Sequence, residues 1–551
     1  MIEDLWYKNA VIYSLDIETF MDQNGDGIGD FEGLAKRLDY LHALGVDAVW
    51  LAPFQPTPNK DNGYDIKDYY SVDPKHGSGG DFVEFMHQAN KRGIKVLMDL
   101  VVNHTSDQHP WFQQSRSSPE SPFRDWYVWS PKKPEDWNEG MVFPGVQKAT
   151  WTYDKKAKAY YHHRFYDHQP DLNIDKLEVR QEIQKIMGYW VQQGVAGFRV
   201  DAVPFILETQ NPGEKNRRLR FEYLREMRRF LQWRRGDAIM LGEANVKPEE
   251  SERYFGEEGA GIHLMFNFFV NQYMFYALAT GTTKKLISAL ERTRIDFPNS
   301  QWAIFLRNHD ELDLGRLTDK EREVVFERFA PDKNMLLYDR GIRRRLPTML
   351  GNQSQLQLAY SLMFSLPGTP VIRYGDEIGM GDNLDLKERD AVRTPMQWTG
   401  DTQAGFSTAK KLVHPIIDSG PYAYQHVNVE TQRRTEGSLL NWMTKMIRLR
   451  QECLEIGWGQ WQILDSGVES VLCMHYNYKG SSIVILHNFA SEAFEIVLNL
   501  KAKNEMKLID LLQVGESVED EKGRHRITVD AHGYRWFRAG DLSHLLHGKG
   551  Q

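Results

Sequence analysis

The stretch FEGLAKRLDYLHALGVDAVWLAPF, residues 31–54, reads as one complete β/α unit. Phe31, Leu34, Leu38, Leu41 and Leu44 recur at helical spacing and give a helix one apolar face. Gly45 offers the C-terminal stop. VDAVWL then follows as a short continuous apolar run, as expected of a strand covered on both sides. The next stretch repeats the arrangement, with DFVEFMHQANKR (81–92), Gly93 and IKVLMDLVV (94–102). A third helix carries Val179, Ile183, Ile186, Met187 and Trp190 on one face, ends near Gly194 and leads into GFRVDAV (197–203). Further apolar runs are IYSLD near the start, AIMLGEA (238–244), HLMFNF (263–268), WAIFLRN (302–308) and PVIRYGD (370–376), making eight.

Eight such units predict an α/β fold, a closed (β/α)8 barrel whose functional groups sit at the C-terminal ends of its strands. The barrel is expected over 1–104 and 174–455. Residues 105–173, long, aromatic and dotted with proline, read as an inserted subdomain after the third strand. A charged excursion covers 312–350. From 456 to 551 strand-period runs such as VESVLCMHYN and SSIVILHNF predict a C-terminal antiparallel β-sandwich.

Of 551 residues, 41% are hydrophobic and 26% charged, an ordinary globular balance. No run approaches the ~20 apolar residues of a membrane helix. The start MIEDLWYKNAVIY lacks the basic-then-apolar pattern of a signal peptide, and two cysteines make no disulfide framework, so a cytoplasmic location is expected. A net charge of −8 argues against nucleic acid or an anionic membrane as partner. The 12% aromatic content suits sugar rings, which present flat CH faces, although most aromatics of any globular chain are core.

Cleaving a glycosidic bond calls for two carboxyl groups about the anomeric carbon, roughly 5–5.5 Å apart in a retaining enzyme. Asp201 ends the apolar strand GFRVDA, with Arg199 on the same face to keep it ionised. Glu243 ends AIMLGEAN, where apolar neighbours raise a carboxyl pKa as a general acid requires. The loop DQNGDGIGD (22–30) sets oxygen ligands at alternate positions: Asp22, Asn24, Asp26, the Ile28 carbonyl and Asp30. That spacing is similar to a calcium loop, without the glutamate that closes an EF-hand.

Four ordered stretches, DLVVNH (99–104), GFRVDA (197–202), GEAN (242–245) and FLRNHDE (305–311), resemble the signatures of the α-amylase superfamily, glycoside hydrolase family 13. The resemblance implies Asp201 as nucleophile, Glu243 as acid/base and Asp310 as third carboxylate, with His104, Arg199 and His309 holding the glucose ring. NGYDIKDYY offers Tyr64 as a stacking platform and Asp65 as hydroxyl acceptor, and VRTPMQW offers Arg393; in exo-acting members such a pair closes the pocket behind the non-reducing glucose. A second calcium site is implied at Asn103, Asp171 and Glu208. Both metals would be structural, and no organic cofactor is expected.

NHTSDQHPWF, HRFYDHQPDLN, GIRRRL and VRTPMQWT are most similar to the trehalose synthase branch, which interconverts maltose and trehalose. The segment ILETQNPGEKNRRLR (206–220) departs from that branch, as do Gln55 and Arg373 where aromatics are usual. The expected partner is a small α-glucoside, a disaccharide, and self-association into a homo-oligomer stays open. The rival readings are an α-glucosidase or transglucosylase with water or another acceptor, and a noncatalytic barrel scaffold.

Overall fold

The computed structural model describes residues 3–208, 218–500, 507–520 and 523–540. Eight parallel strands close into a barrel: β1 (Ile12–Leu15), β2 (Ala48–Leu51), β3 (Lys95–Leu100), β4 (Gly197–Val200), β5 (Ile239–Gly242), β6 (Leu264–Phe266), β7 (Gln301–Ile304) and β8 (Thr369–Arg373). They are the eight runs predicted from the sequence. β1 completes the ring by pairing with β8 at Ile12–Val371 and with β2 at Ile12–Ala48.

Strand alternation sorts the side chains into two cores. Ile12, Ala48, Trp50, Leu97, Ile239 and Leu241 fill the barrel interior. Tyr13, Val49, Leu51, Met98, Phe198 and Val200 pack outward under the helices. The helix expected over 31–44 is interrupted. Helices Phe31–Lys36 and Leu38–Leu44 meet at Arg37, whose backbone leaves helical geometry and whose guanidinium lies 4.0 Å from the Trp398 ring. Its five spaced apolar residues are nonetheless buried, and Gly45 ends it at φ 97°.

The insert after β3 holds a three-stranded antiparallel sheet of Trp129–Ser130, Ala159–His162 and Trp151–Asp154. Bridges His104–Asp171 and Tyr127–Leu172 draw its two ends together above β3. The excursion after β7 carries a small sheet, Leu312–Asp313, Leu336–Leu337 and Gly341–Ile342. The C-terminal strands form an antiparallel sheet of six, starting at Gln460, faced by the pair Phe494–Leu498 and His525–Val529. Val471, Leu486, Ile496, Leu508, Ile527 and Phe537 fill the space between them. Cys453 and Cys473 are buried free thiols. No helix among the described residues is long and apolar enough to cross a membrane.

Candidate active site

The C-terminal ends of the strands surround a cavity of about 580 Å3. Asp201, one residue beyond β4, follows Arg199 on the inward face of the strand. Ala202 then turns sharply at φ 51°, ψ 39°, a left-handed backbone that costs an alanine about 1 kcal/mol. Backbone bonds from Asp201 to Leu100, from Glu243 to Val200 and from Val203 to Glu243 fix the ends of β3, β4 and β5 against each other. Asp201, Glu243 and Asp310 thereby line one cavity together with Tyr64, His104 and His309.

Arg199 lies beneath them, 1% exposed. Its guanidinium reaches Asp201 at 2.7 Å, Glu243 at 2.8 Å and Asp99 at 2.5 Å. Asp99 also accepts from Trp50 Nε1 at 3.1 Å and the Tyr64 hydroxyl at 3.2 Å. Nothing but its place in DLVVNH, alternating with outward residues of β3, could have revealed that role. The Tyr64 ring stacks on His309 with centroids 5.6 Å apart, and its hydroxyl is 2.8 Å from His309 Nε2. The His104 ring is held at 3.0 Å from the Tyr64 carbonyl.

The three carboxyls ionise differently because their surroundings differ. Burial pushes Glu243 up to about 7, with Arg199 opposing and the Asp201 and Asp310 charges adding to the rise. Burial likewise raises Asp201 to about 6 against the pull of Arg199. Burial acts on Asp310 too, but Arg389, His309 and Arg393 outweigh it and hold that carboxyl well below the usual range. Burial takes His309 down to about 3, so it is neutral near pH 7.

The expected Asp65–Arg393 clamp does not form. The Asp65 carboxylate is fully buried and accepts from Thr57 Oγ1 and the amides of Lys60 and Asp61, which builds the loop. Arg393 sits behind the wall and donates to the His309 carbonyl at 2.9 Å and to Asp310 at 3.1 Å. The charged pair that lines the cavity is Asp61 and Arg389, four residues earlier in each motif. Arg389 contacts Asp310 at 3.0 Å and Glu311 at 2.7 Å.

At the second calcium set the side chains are paired with neighbouring groups. Asn103 turns its amide nitrogen toward Asp171 at 3.1 Å, and the other Asp171 oxygen faces His162 Nδ1 at 3.0 Å. Glu208 pairs with the Arg164 guanidinium, so a side-chain cation already stands beside it. In the 22–30 loop the side chains turn onto the loop's own backbone. Asp22 accepts from Gly25 and Gly27, Asn24 from Asp26, Asp26 from Ile28, and Asp30 from Gln23 and Asn24. Among the described residues no three His, Cys, Asp or Glu side chains are arranged to hold a metal. The donor set of this loop is nonetheless all hard oxygen, the kind calcium takes.

Two segments meet at the cavity wall and form what we term the lid, with Val142, Phe143 and Arg340 lining the cavity. From the insert come Val142, Phe143 and Tyr166; from the excursion come Tyr338 and Arg340. Phe143 packs on Tyr166 and on Tyr338, both with ring centroids 4.9 Å apart, and Arg389 covers the Phe143 and Tyr338 rings. Arg340 donates to the Val142 carbonyl at 3.2 Å and faces Asp313 at 3.4 Å. Tyr338 and Asp339 both have left-handed backbones, φ 55° and 58°, which turn the chain between the two short strands of the excursion. Sequence reasoning missed this lid, and part of the departing segment, 209–217, lies outside the described residues.

The family profile of the α-amylase catalytic domain matches residues 15–342 and 333–459. The chain belongs to the α-amylase family. A sucrose hydrolase-like C-terminal domain profile matches 480–538. The trehalose synthase of Thermus thermophilus is 41% identical over 99% of this chain, which spans 57% of that protein's length. The trehalose synthase of Pimelobacter sp. (strain R48) is 39% identical, covering 98% of this chain and 96% of its own. The oligo-1,6-glucosidase of Bacillus cereus is 30% identical over 94% of this chain and 97% of its own. Among solved structures, the trehalose-6-phosphate hydrolase of Bacillus licheniformis superposes with a TM-score of 0.78 at 26% identity, over 97% of this chain and 100% of its own.

Proposed function

We propose that this chain is a retaining, exo-acting α-glucosyl enzyme that interconverts maltose and trehalose through a covalent glucosyl-Asp201 intermediate. The observation that carries this reading is three carboxyls of unlike ionisation in one cavity, with Arg199 touching Asp201 and Glu243 at once. Asp201, ionised at pH 7, attacks the anomeric carbon while protonated Glu243 gives its proton to the departing glycosidic oxygen. Asp310, held anionic, faces the positive charge that develops on the ring. In the second half the freed glucose turns, Glu243 takes the proton of its anomeric hydroxyl, and that oxygen displaces Asp201. Arg199, His104, His309 and Tyr64 hold the glucose, with Asp61 and Arg389 closing its far side.

The charge of the wall favours a neutral sugar over a phosphorylated one. Among the described residues it carries Asp61, Asp201, Glu208, Glu243, Glu250, Asp310, Glu311 and Asp313 against Arg316, Arg340 and Arg389. The lid favours transfer over hydrolysis, because water must be kept out while the glucose turns. The altered 206–220 segment supports the second reading, an α-glucosidase or transglucosylase that admits water or a foreign acceptor. We further propose that any structural calcium is held at 22–30 by Asp22, Asn24, Asp26, Asp30 and the Ile28 carbonyl, and takes no part in the chemistry.

The test is incubation with maltose and with trehalose separately, following the anomeric protons by NMR. Trehalose from maltose, and the reverse, is the expected result. Glucose alone would give the hydrolase reading. Inertness toward both sugars and toward an aryl α-glucoside would overturn the enzyme reading altogether.

A further inference from the structure

On the opposite face of the barrel lies a second cavity that the glucosyl chemistry does not use. It measures about 90 Å3, room for several waters. It sits where the segment before β1 and the start of β7 meet Trp458 and Trp461, at the junction with the C-terminal sheet. Two cations line it. Lys8 is 8% exposed, donates to the Pro298 carbonyl at 3.0 Å, and has its ammonium 5.5 Å from the centre of the Trp458 ring. Arg294 lies 3.8 Å from the centre of the Trp461 ring and donates to the Trp461 carbonyl at 3.1 Å.

What is missing is negative charge. Among the described residues no Asp or Glu lines this cavity, and neither Lys8 nor Arg294 has a carboxylate partner, in a chain of net charge −8. Lysines this deeply buried are almost always paired, since an uncompensated buried charge is costly. Here both cations are positioned by tryptophan faces and backbone carbonyls, which fix them without neutralising them. An ammonium has three donors, and Pro298 takes one.

We propose that this cavity is a binding site for a small oxyanion: inorganic phosphate, or the phosphate group of a sugar monoester. The ligand would accept from Lys8 and Arg294 and tie the barrel floor to the C-terminal sheet. Burial already pulls the Lys8 ammonium down to about 8, so filling the site should restore its proton and make binding take up protons near pH 8.

The test is isothermal titration of the full chain at constant ionic strength with phosphate, glucose 1-phosphate and glucose 6-phosphate. At least one should bind with a Kd below about 1 mM, against the far weaker attraction of exposed charges. Lys8→Met and Arg294→Gln should each weaken it at least tenfold and leave kcat on an aryl α-glucoside unchanged. Arg294 is exposed, so its variant tests the site even if the Lys8 variant fails to fold. Proton uptake near pH 8, read by titrating in two buffers of different ionisation heat, should vanish in Lys8→Met. Tighter binding of a monoester than of phosphate would identify a sugar phosphate as the ligand; the reverse would identify free phosphate. Absence of binding, or binding indifferent to Arg294→Gln, would overturn the proposal.

Discussion

On the proposed transfer reading, Arg340→Ala should shift the outcome toward hydrolysis without disarming cleavage. The side chain spans the lid, donating to the Val142 carbonyl of the insert and facing Asp313 of the excursion. Truncation removes one hydrogen bond to a carbonyl, net about 1 kcal/mol, and a half-exposed ion pair of about 0.5 kcal/mol. The Phe143–Tyr338 contact and the Arg389 stack stay in place, so the lid loosens rather than falls away. A cost of ~1.5 kcal/mol raises the open fraction roughly tenfold. The carboxyls and Arg199 are untouched, so release of nitrophenol from an aryl α-glucoside should change by less than about threefold. The assay is NMR of a maltose incubation, comparing free glucose with new disaccharide. A ratio rising about tenfold with nitrophenol release kept is the expected result. An unchanged ratio would refute the lid as the water barrier, and loss of nitrophenol release would show that Arg340 serves the cleavage step itself.

Asp201→Asn should lower kcat/KM by roughly 10^4-fold or more, since no glucosyl ester can form; residual activity above a hundredth of wild type would sink the covalent route. The pH profile of kcat/KM should be a narrow bell. Activity is lost as pH falls through about 6, where Asp201 takes up a proton, and again as pH rises through about 7, where Glu243 gives its proton up. A flat profile from pH 5 to 9 would contradict those assignments. Arg389→Ala should raise KM for disaccharides about tenfold and also lower kcat, since it touches Asp310 as well as lining the cavity, whereas Arg393→Ala should lower kcat through Asp310 with KM kept; a KM rise confined to Arg393→Ala would restore Arg393 as the clamp. Chelation should lower the melting temperature by ~3 °C if calcium fills the 22–30 loop, and a melt indifferent to chelator and to added calcium would count against an exchangeable ion there.

The periodic part of the fold was legible in the chain because strand and helix formation depend on near neighbours. The run from Phe31 to Leu51 carries its own apolar face, glycine stop and buried strand, and eight such units have one way to close. Strand-end chemistry was legible for the same reason: alternation places Arg199 inward, and the chain leaving β4 and β5 delivers Asp201 and Glu243 to the rim. Side chains on loops obey no such period. Asp61 and Asp65 share one turn, as Arg389 and Arg393 share another, and only the folded backbone turns the first of each pair to the cavity and the second into the wall. Nothing in the sequence near Glu208 announced that the fold would bring Arg164 against it. The lid depends on contact between Phe143 and Tyr338, segments of different subdomains far apart in the chain. The sequence thus determined the barrel and where the carboxyls emerge, while tertiary packing decided which charges face the cavity and which side chains meet beside it.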